Sequence, residues 1–203
     1  MIVTALKQSS PGRFLVEFDG AEALRSTLDA VTDARLFVGM ELSDEAFEEL
    51  KRASSKALDR QKALELLSRR PYSRKELRDK LLLRGIDEQS ADECVAWLAE
   101  RGFLDDGEYA GAVARHYSAK GYGAGRVKSE LRRRGIERDQ ADETLAALPD
   151  NTEKLDVFIS RRLKDPNDRD SVRKISAALF RRGYSWEEIR AALRRFNSNI
   201  EED

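Results

Sequence analysis

The segment 74–98, RKELRDKLLLRGIDEQSADECVAWL, reads as helix, glycine stop, helix, and the same plan recurs at 126–148 and at 173–196. Self-similarity of this kind constrains the fold more than any single motif, because it implies one supersecondary unit used several times. The copies superpose without gaps. Leu77, Val127 and Ile175 align, and four residues later so do Leu81, Leu131 and Leu179. Arg84, Arg134 and Arg182 lead into Gly85, Gly135 and Gly183, followed by Ile86, Ile136 and Tyr184. The closing helices match at Ala91, Ala141 and Ile189, then Val95, Leu145 and Leu193, then Leu98, Leu148 and Phe196. A glycine directly after helical periodicity marks a left-handed C′ position, and the apolar residue behind it fits a Schellman cap.

Each copy is preceded by a further helical stretch, which makes the unit a three-helix one. In the first, helices are expected near 56–69, 73–84 and 87–101, with Ala63, Leu64 and Leu67 as the first apolar stripe. Pro71 breaks the chain, and Ser73 with Glu76 forms an S-x-x-E capping box. The second unit opens at RGFLDDGEYA, where Asp105 or Asp106 caps a helix carrying Tyr109, Val113 and Tyr117. Its KGYGAGR (120–126) is a helix–helix turn with glycines as the breaker. The third opens with TEKLDVFISRRL, passes through KDPNDRDS and ends in the polar tail NSNIEED, which is expected to fray. At the N-terminus, runs at 2–7 and 13–18 predict a hairpin, 35–38 a third strand, and Ser43 the cap of a helix, with the pattern helical from about 45 to 70. The predicted fold is mainly α. It is an elongated array of three tandem three-helix repeats (51–104, 105–149 and 150–203, the last with a short acidic tail) behind a small β-containing segment at 1–50. Stacking would set equivalent helices side by side, with their basic residues lining one surface.

Several classes of function are disfavoured. A single cysteine, Cys94, lies at core spacing beside Ala91, Val95 and Leu98, and the single histidine, His116, aligns with Leu66 on the edge of a buried face. Two such residues do not make a metal cluster of the usual kind. Asp105, Asp106 and Glu108 are accounted for by helix capping, and GYGAG has no strand before it, so it is not a phosphate loop. Trp97 and Trp186 fall at or near packed faces. No nucleophile–base pair can be assembled, so no enzyme, cofactor or metal is expected. No apolar run approaches the roughly 20 residues of a membrane span. The N-terminus MIVTALKQSS has no signal-peptide pattern, which points to the cytoplasm.

The formal net charge is −1, so affinity for a polyanion has to come from local sorting of charge. The middle helices carry the cations and the starts of the closing helices the anions. Helix dipoles account for part of this. They do not account for Arg74, Lys75 and Arg126, which stand near helix starts. The candidate partner- or DNA-binding set is Arg74, Lys75, Arg78, Arg126, Lys128, Arg132, Arg133, Arg173 and Lys174.

Three stretches, LELLSRRPYSRKELRDKLLLRG (64–85), RGFLDDGEYA (101–110) and GRVKSELRRRGI (125–136), closely resemble the RecX family. The resemblance extends from near residue 43 into the third unit, where Phe180 and Tyr184 depart from the pattern. It implies a non-enzymatic regulator of the RecA recombinase. Such a protein binds in the groove of the RecA–DNA filament and hinders ATP hydrolysis, strand exchange and repressor cleavage, with single- or double-stranded DNA bound weakly or through the filament. That places the chain in recombination, DNA repair and the SOS response, as a monomer. Two other readings fit the residues: a stand-alone, weak DNA-binding protein of tandem helix-turn-helix-like units, and a general helical-repeat scaffold.

Overall fold

The computed structural model describes residues 1–165 and 167–201. Two units emerge, Met1–Leu104 and Asp105–Asp203. The first is built on a single long helix. Strands β1 (Val3–Ser10), β2 (Arg13–Phe18) and β3 (Ala21–Thr27) form an antiparallel meander, and α1 (Leu28–Asp33) follows directly, capped by Thr27. Helix α2 (Asp44–Leu67) then runs 24 residues, or about 36 Å at 1.5 Å per residue. Ser43 caps it as expected, accepting the Ala46 N–H at 3.2 Å. The N-terminal half of α2 buries Leu50 against Val3, Val16, Phe18, Val31 and Leu36 under the sheet. Its C-terminal half buries Ala63 and Leu66 with α3 (Arg74–Leu82) and α4 (Glu88–Glu100). The sheet cap and the first bundle therefore share one helix, and residues 50 and 51 lie inside it.

The third strand is not where the apolar run 35–38 predicts it. Arg35 takes a positive φ of 50°, Leu36 is buried from a loop, and Phe37 and Val38 are 61% and 60% exposed. The strand is AEALRST instead, a polar sequence held by ladder bonds to β2 and by the buried Ser26 hydroxyl, 2.8 Å from that of Ser54 on α2. The other N-terminal expectation, the hairpin, is present: Leu6 pairs with Val16 and Lys7 with Leu15.

The second unit holds two further bundles. One comprises α5 (Asp106–Ala119), α6 (Ala124–Arg133) and α7 (Arg138–Ala146) around Ala110, Ala114, Val127, Leu131 and Ala141. The other comprises α8 (Thr152–Ser160), α9 (Arg169–Arg181) and α10 (Trp186–Glu201) around Leu155, Ile159, Leu179 and Ile189. Helix α10 includes Asn197–Glu201, so that much of the polar tail is helical rather than frayed; the last two residues lie outside the described residues. The repeat alignment holds residue by residue in the core. Leu77, Val127 and Ile175 are all buried, as are Leu81, Leu131 and Leu179. The glycines close each middle helix as predicted: Ile86 N–H reaches Leu81 O, Ile136 reaches Leu131 and Tyr184 reaches Leu179, with φ of 79°, 82° and 93° at Gly85, Gly135 and Gly183.

Within the second unit the basic helices α6 and α9 do not lie side by side. They meet at their ends. The Gly123 N–H donates to Arg182 O and the Gly125 N–H to Gly183 O, each at 2.9 Å. A Cβ on Gly123 would stand 2.5 Å from the Gly183 carbonyl carbon, so the three glycines permit a contact of backbone on backbone. This is the structural reason for the GYGAG motif, which is more than a helix breaker. The same α5–α6 turn is held by Asn151 Nδ2 and Lys154 Nζ, which donate to Tyr122 O and Ser118 O, and by Arg182 Nη1 and the Tyr184 hydroxyl, which both donate to Gly121 O.

Candidate functional site

The middle helices position their cations by the same spacing that builds the core. With Leu77 and Leu81, Val127 and Leu131, or Ile175 and Leu179 turned inward, the residues between them are left at the flanks. All nine sequence-predicted residues fall on α3, α6 or α9, but they do not form a uniform set. Lys75 is paired with Asp79 at 2.6 Å on its own helix. Arg78 makes a two-pronged contact with Asp92 on α4, at 2.5 and 3.2 Å. Lys128 makes a single contact, from its Nζ, with Asp142 on α7. Arg78 and Lys128 occupy equivalent places in the repeat, as do Asp92 and Asp142, so two bundles share one clamp between middle and closing helix. The third has Ser176 and Arg190 there and closes through Arg195 and Asp156 at 2.7 Å. Hydrogen bonding to Arg78 lowers the Asp92 pKa, hydrogen bonding to Lys128 lowers that of Asp142, and Asp92 in turn raises the pKa of Arg78.

Arg133 is bound to Glu130 at 2.6 Å, and Glu130 is 4% exposed on average over its atoms. That buried carboxylate also accepts from Arg134 at 2.9 Å, and Arg134 goes on to the Tyr109 hydroxyl. Hydrogen bonds from Arg133 first, and then from Arg134, hold the Glu130 pKa below its ordinary value. Arg173 has Asp170 at 3.3 Å. Arg74 is exposed at the start of α3. Arg126, Arg132 and Lys174 are exposed and form no ion pair within 4 Å among the described residues. These three are the predicted residues best able to meet an external anion without first giving up a carboxylate. Exposed ion pairs are weak and screened by salt, so Lys75 and Arg173 remain exchangeable. Arg78, Lys128 and Arg133 are each engaged with a carboxylate of their own bundle.

Two features of this surface were missed in the sequence. Trp186 is not core: it is 49% exposed and stacks on the 51%-exposed Phe180 with ring centroids 5.0 Å apart. Phe180 of this pair lines a groove together with Arg126, Ser129, Arg181 and Ser185. Trp97, by contrast, is partly buried between the guanidiniums of Arg60 and Arg101, at 4.4 and 4.2 Å. The second feature is a set of cations on α8, in the turns beside it and at the C-cap of α9, none of them among the nine predicted residues. Among the described residues, no group of three or more His, Cys, Asp and Glu could hold a metal ion. Asp105 is the α5 N-cap, accepting from Gly107 and Glu108. Burial raises the Cys94 pKa to about 11. No helix among the described residues is long and apolar enough to cross a membrane.

A sheet cap followed by tandem three-helix bundles, each with a basic middle helix, defines a class of helical-repeat protein. The family model for the first three-helix domain of RecX matches residues 60–98, and the model for the second matches 105–145. The regulatory protein RecX of Xanthomonas axonopodis pv. citri (strain 306) is 41% identical over 137 residues, covering 66% of this chain and 85% of the relative. That of Stenotrophomonas maltophilia (strain R551-3) is 38% identical over 141 residues, with 66% and 84% covered. Among solved structures, RecX from Lactobacillus salivarius superposes with a TM-score of 0.65 at 25% identity, over 71% of this chain and all but a small part (98% covered) of that one. A second crystal structure, of a regulatory protein RecX, gives a TM-score of 0.73 over 92% of this chain and 96% of that chain; at 22% identity it supports the fold. The chain belongs to the RecX family of regulatory proteins.

Proposed function

We propose that this chain is a non-enzymatic modulator of the RecA recombinase. It acts in the cytoplasm as a monomer, binds along the groove of the RecA–DNA filament and lowers its activity. Each bundle offers its own helix faces and cations, so several modest contacts with successive protomers and phosphates add up by avidity. Bridging protomers would resist the changes at their interfaces on which ATP turnover, strand exchange and coprotease activity depend. Besides membership of the family, the observation that carries this reading is the exposed, unpaired set Arg126, Arg132 and Lys174. The test is the ATPase activity of RecA on single-stranded DNA with the purified protein added. Wild type should inhibit. The triple variant R126E/R132E/K174E should inhibit at least tenfold more weakly with unchanged helical circular dichroism. Equal inhibition by both would remove these residues from the interface.

A second reading, weak DNA binding without RecA, is favoured by the same unpaired cations. It predicts binding to naked DNA that falls steeply as salt rises.

A further inference from the structure

A pocket of about 420 Å³ opens in the second unit where α8 faces the α5–α6 turn and the end of α9. Its lining includes Lys120, Lys154, Arg161, Arg162 and Arg182 against a single carboxylate, Glu153. None of the five cations forms an ion pair within 4 Å among the described residues. Of the nine residues predicted on the middle helices, by contrast, Lys75, Arg78, Lys128, Arg133 and Arg173 each have an acid beside them. Collecting five like charges around one concavity raises the electrostatic energy of the fold, and an anion bound there would lower it.

The geometry prepares these groups rather than leaving them loose. The guanidinium carbons of Arg162 and Arg182 lie 3.9 and 4.8 Å from the centroid of the Phe158 ring. Stacking on an aromatic ring orders a guanidinium while its N–H edge stays available. Arg182 is further fixed by its bond to Gly121 O at 3.2 Å, and Lys154 by its bond to Ser118 O at 3.0 Å. Lys120 and Arg161 are exposed, and their side chains form no hydrogen bond to protein among the described residues. Two guanidiniums held on one ring, with ammonium groups beside them, match the two-oxygen face of a phosphate.

We propose that this pocket is a phosphate-binding site, taking the phosphodiester backbone of a single strand or the phosphates of a free nucleotide. None of its residues belongs to the nine-residue set predicted on the middle helices, although Arg182 caps one of them. The site goes beyond the filament reading, and its test contains no RecA, so either can fail alone.

The experiment uses the full chain and two probes: a fluorescein-labelled dT20 oligonucleotide followed by anisotropy over a salt series, and inorganic tripolyphosphate followed by thermal shift. The variants are R161E/R162E at the C-cap of α8 and the residue after it, K120E on the opposite wall, and the control R52E/R69E, which makes the same charge change as the double variant on exposed parts of the first unit. If the strand is the ligand, R161E/R162E should weaken dT20 binding at least tenfold. It should also flatten the slope of log K against log salt by about 1.4, at roughly 0.7 per lost phosphate contact. K120E should weaken binding by a smaller factor, and the control by less than threefold. If a free nucleotide is the ligand, the tripolyphosphate shift should vanish in both pocket variants and persist in the control. Pocket variants indistinguishable from the control on both probes would overturn the proposal. Circular dichroism of all three variants excludes unfolding as the cause.

Discussion

Replacing Gly183 by alanine tests the contact between the second and third bundles, and its cost can be worked from the structure. Gly183 has φ of 93°, so an alanine there carries a backbone strain of about 1–2 kcal/mol. Its Cβ would also stand 2.6 Å from Arg126 Cβ and 2.9 Å from Arg126 Cα, which forces the α9–α10 turn away from the start of α6. That movement breaks the bonds from Gly123 to Arg182 and from Gly125 to Gly183, worth about 0.5–1.5 kcal/mol each. The total is about 2–5 kcal/mol. Gly85 is the natural control: it is the same repeat position, with φ of 79° and no atom within 4 Å of an added Cβ, so G85A should cost only the strain. Urea unfolding gives the two stability losses, and hydrogen exchange read on peptides spanning 120–127 locates the damage. G183A should destabilise more than G85A and should expose the Gly123 and Gly125 amides to exchange while the core of α6 stays protected. Equal losses, with those amides still protected in G183A, would refute the backbone-on-backbone account.

Three further outcomes follow from single sites. Glu130 has its pKa held below the ordinary 4.5 in the folded state, so its stabilisation is complete above that value and is lost as pH falls through the lower folded pKa. E130Q should therefore be less stable than wild type at pH 7, and the gap should close below about pH 4.5; a gap independent of pH would contradict the charged network. Cys94 is 4% exposed, with its thiol pKa raised to about 11 by burial first and by the charge of Asp59 next, so it should react with Ellman's reagent at pH 8 only after denaturant is added. D92A and D142A should each free a cation, Arg78 or Lys128. If those clamps compete with an external phosphate, both variants should bind dT20 slightly more tightly while losing some thermal stability; weaker binding would place the two acids in the binding surface instead.

Much of the helical fold was legible because two independent signals agreed at each repeat. Apolar spacing marked Leu77, Leu81 and their counterparts, and the glycines stated where each helix had to stop. Strand β3 was hidden because its pairing is a property of β2: AEALRST contains little that prefers an extended backbone on its own. The helix at α2 was legible, but its sharing between two cores was hidden, because nothing in a helical stripe tells which half packs under a sheet and which in a bundle. Charge was the least readable quantity. A run of arginines shows that cations are present but not which of them are engaged. Arg84, Arg134 and Arg182 share one repeat position and yet differ: Arg134 holds a buried glutamate, Arg182 caps a neighbouring turn, and Arg84 is exposed. The aligned acids Asp92 and Asp142 were the available signal that Arg78 and Lys128 are clamps.

The central claim is that the partner is the recombinase filament rather than DNA alone. It is tested most directly by titrating labelled protein against RecA filaments assembled on single-stranded DNA with a non-hydrolysable nucleotide, alongside the same DNA without RecA. Saturable binding to the filament, at least tenfold tighter than to bare DNA at matched salt, is the predicted result. Equal affinity for both, or no binding to the filament, would contradict it.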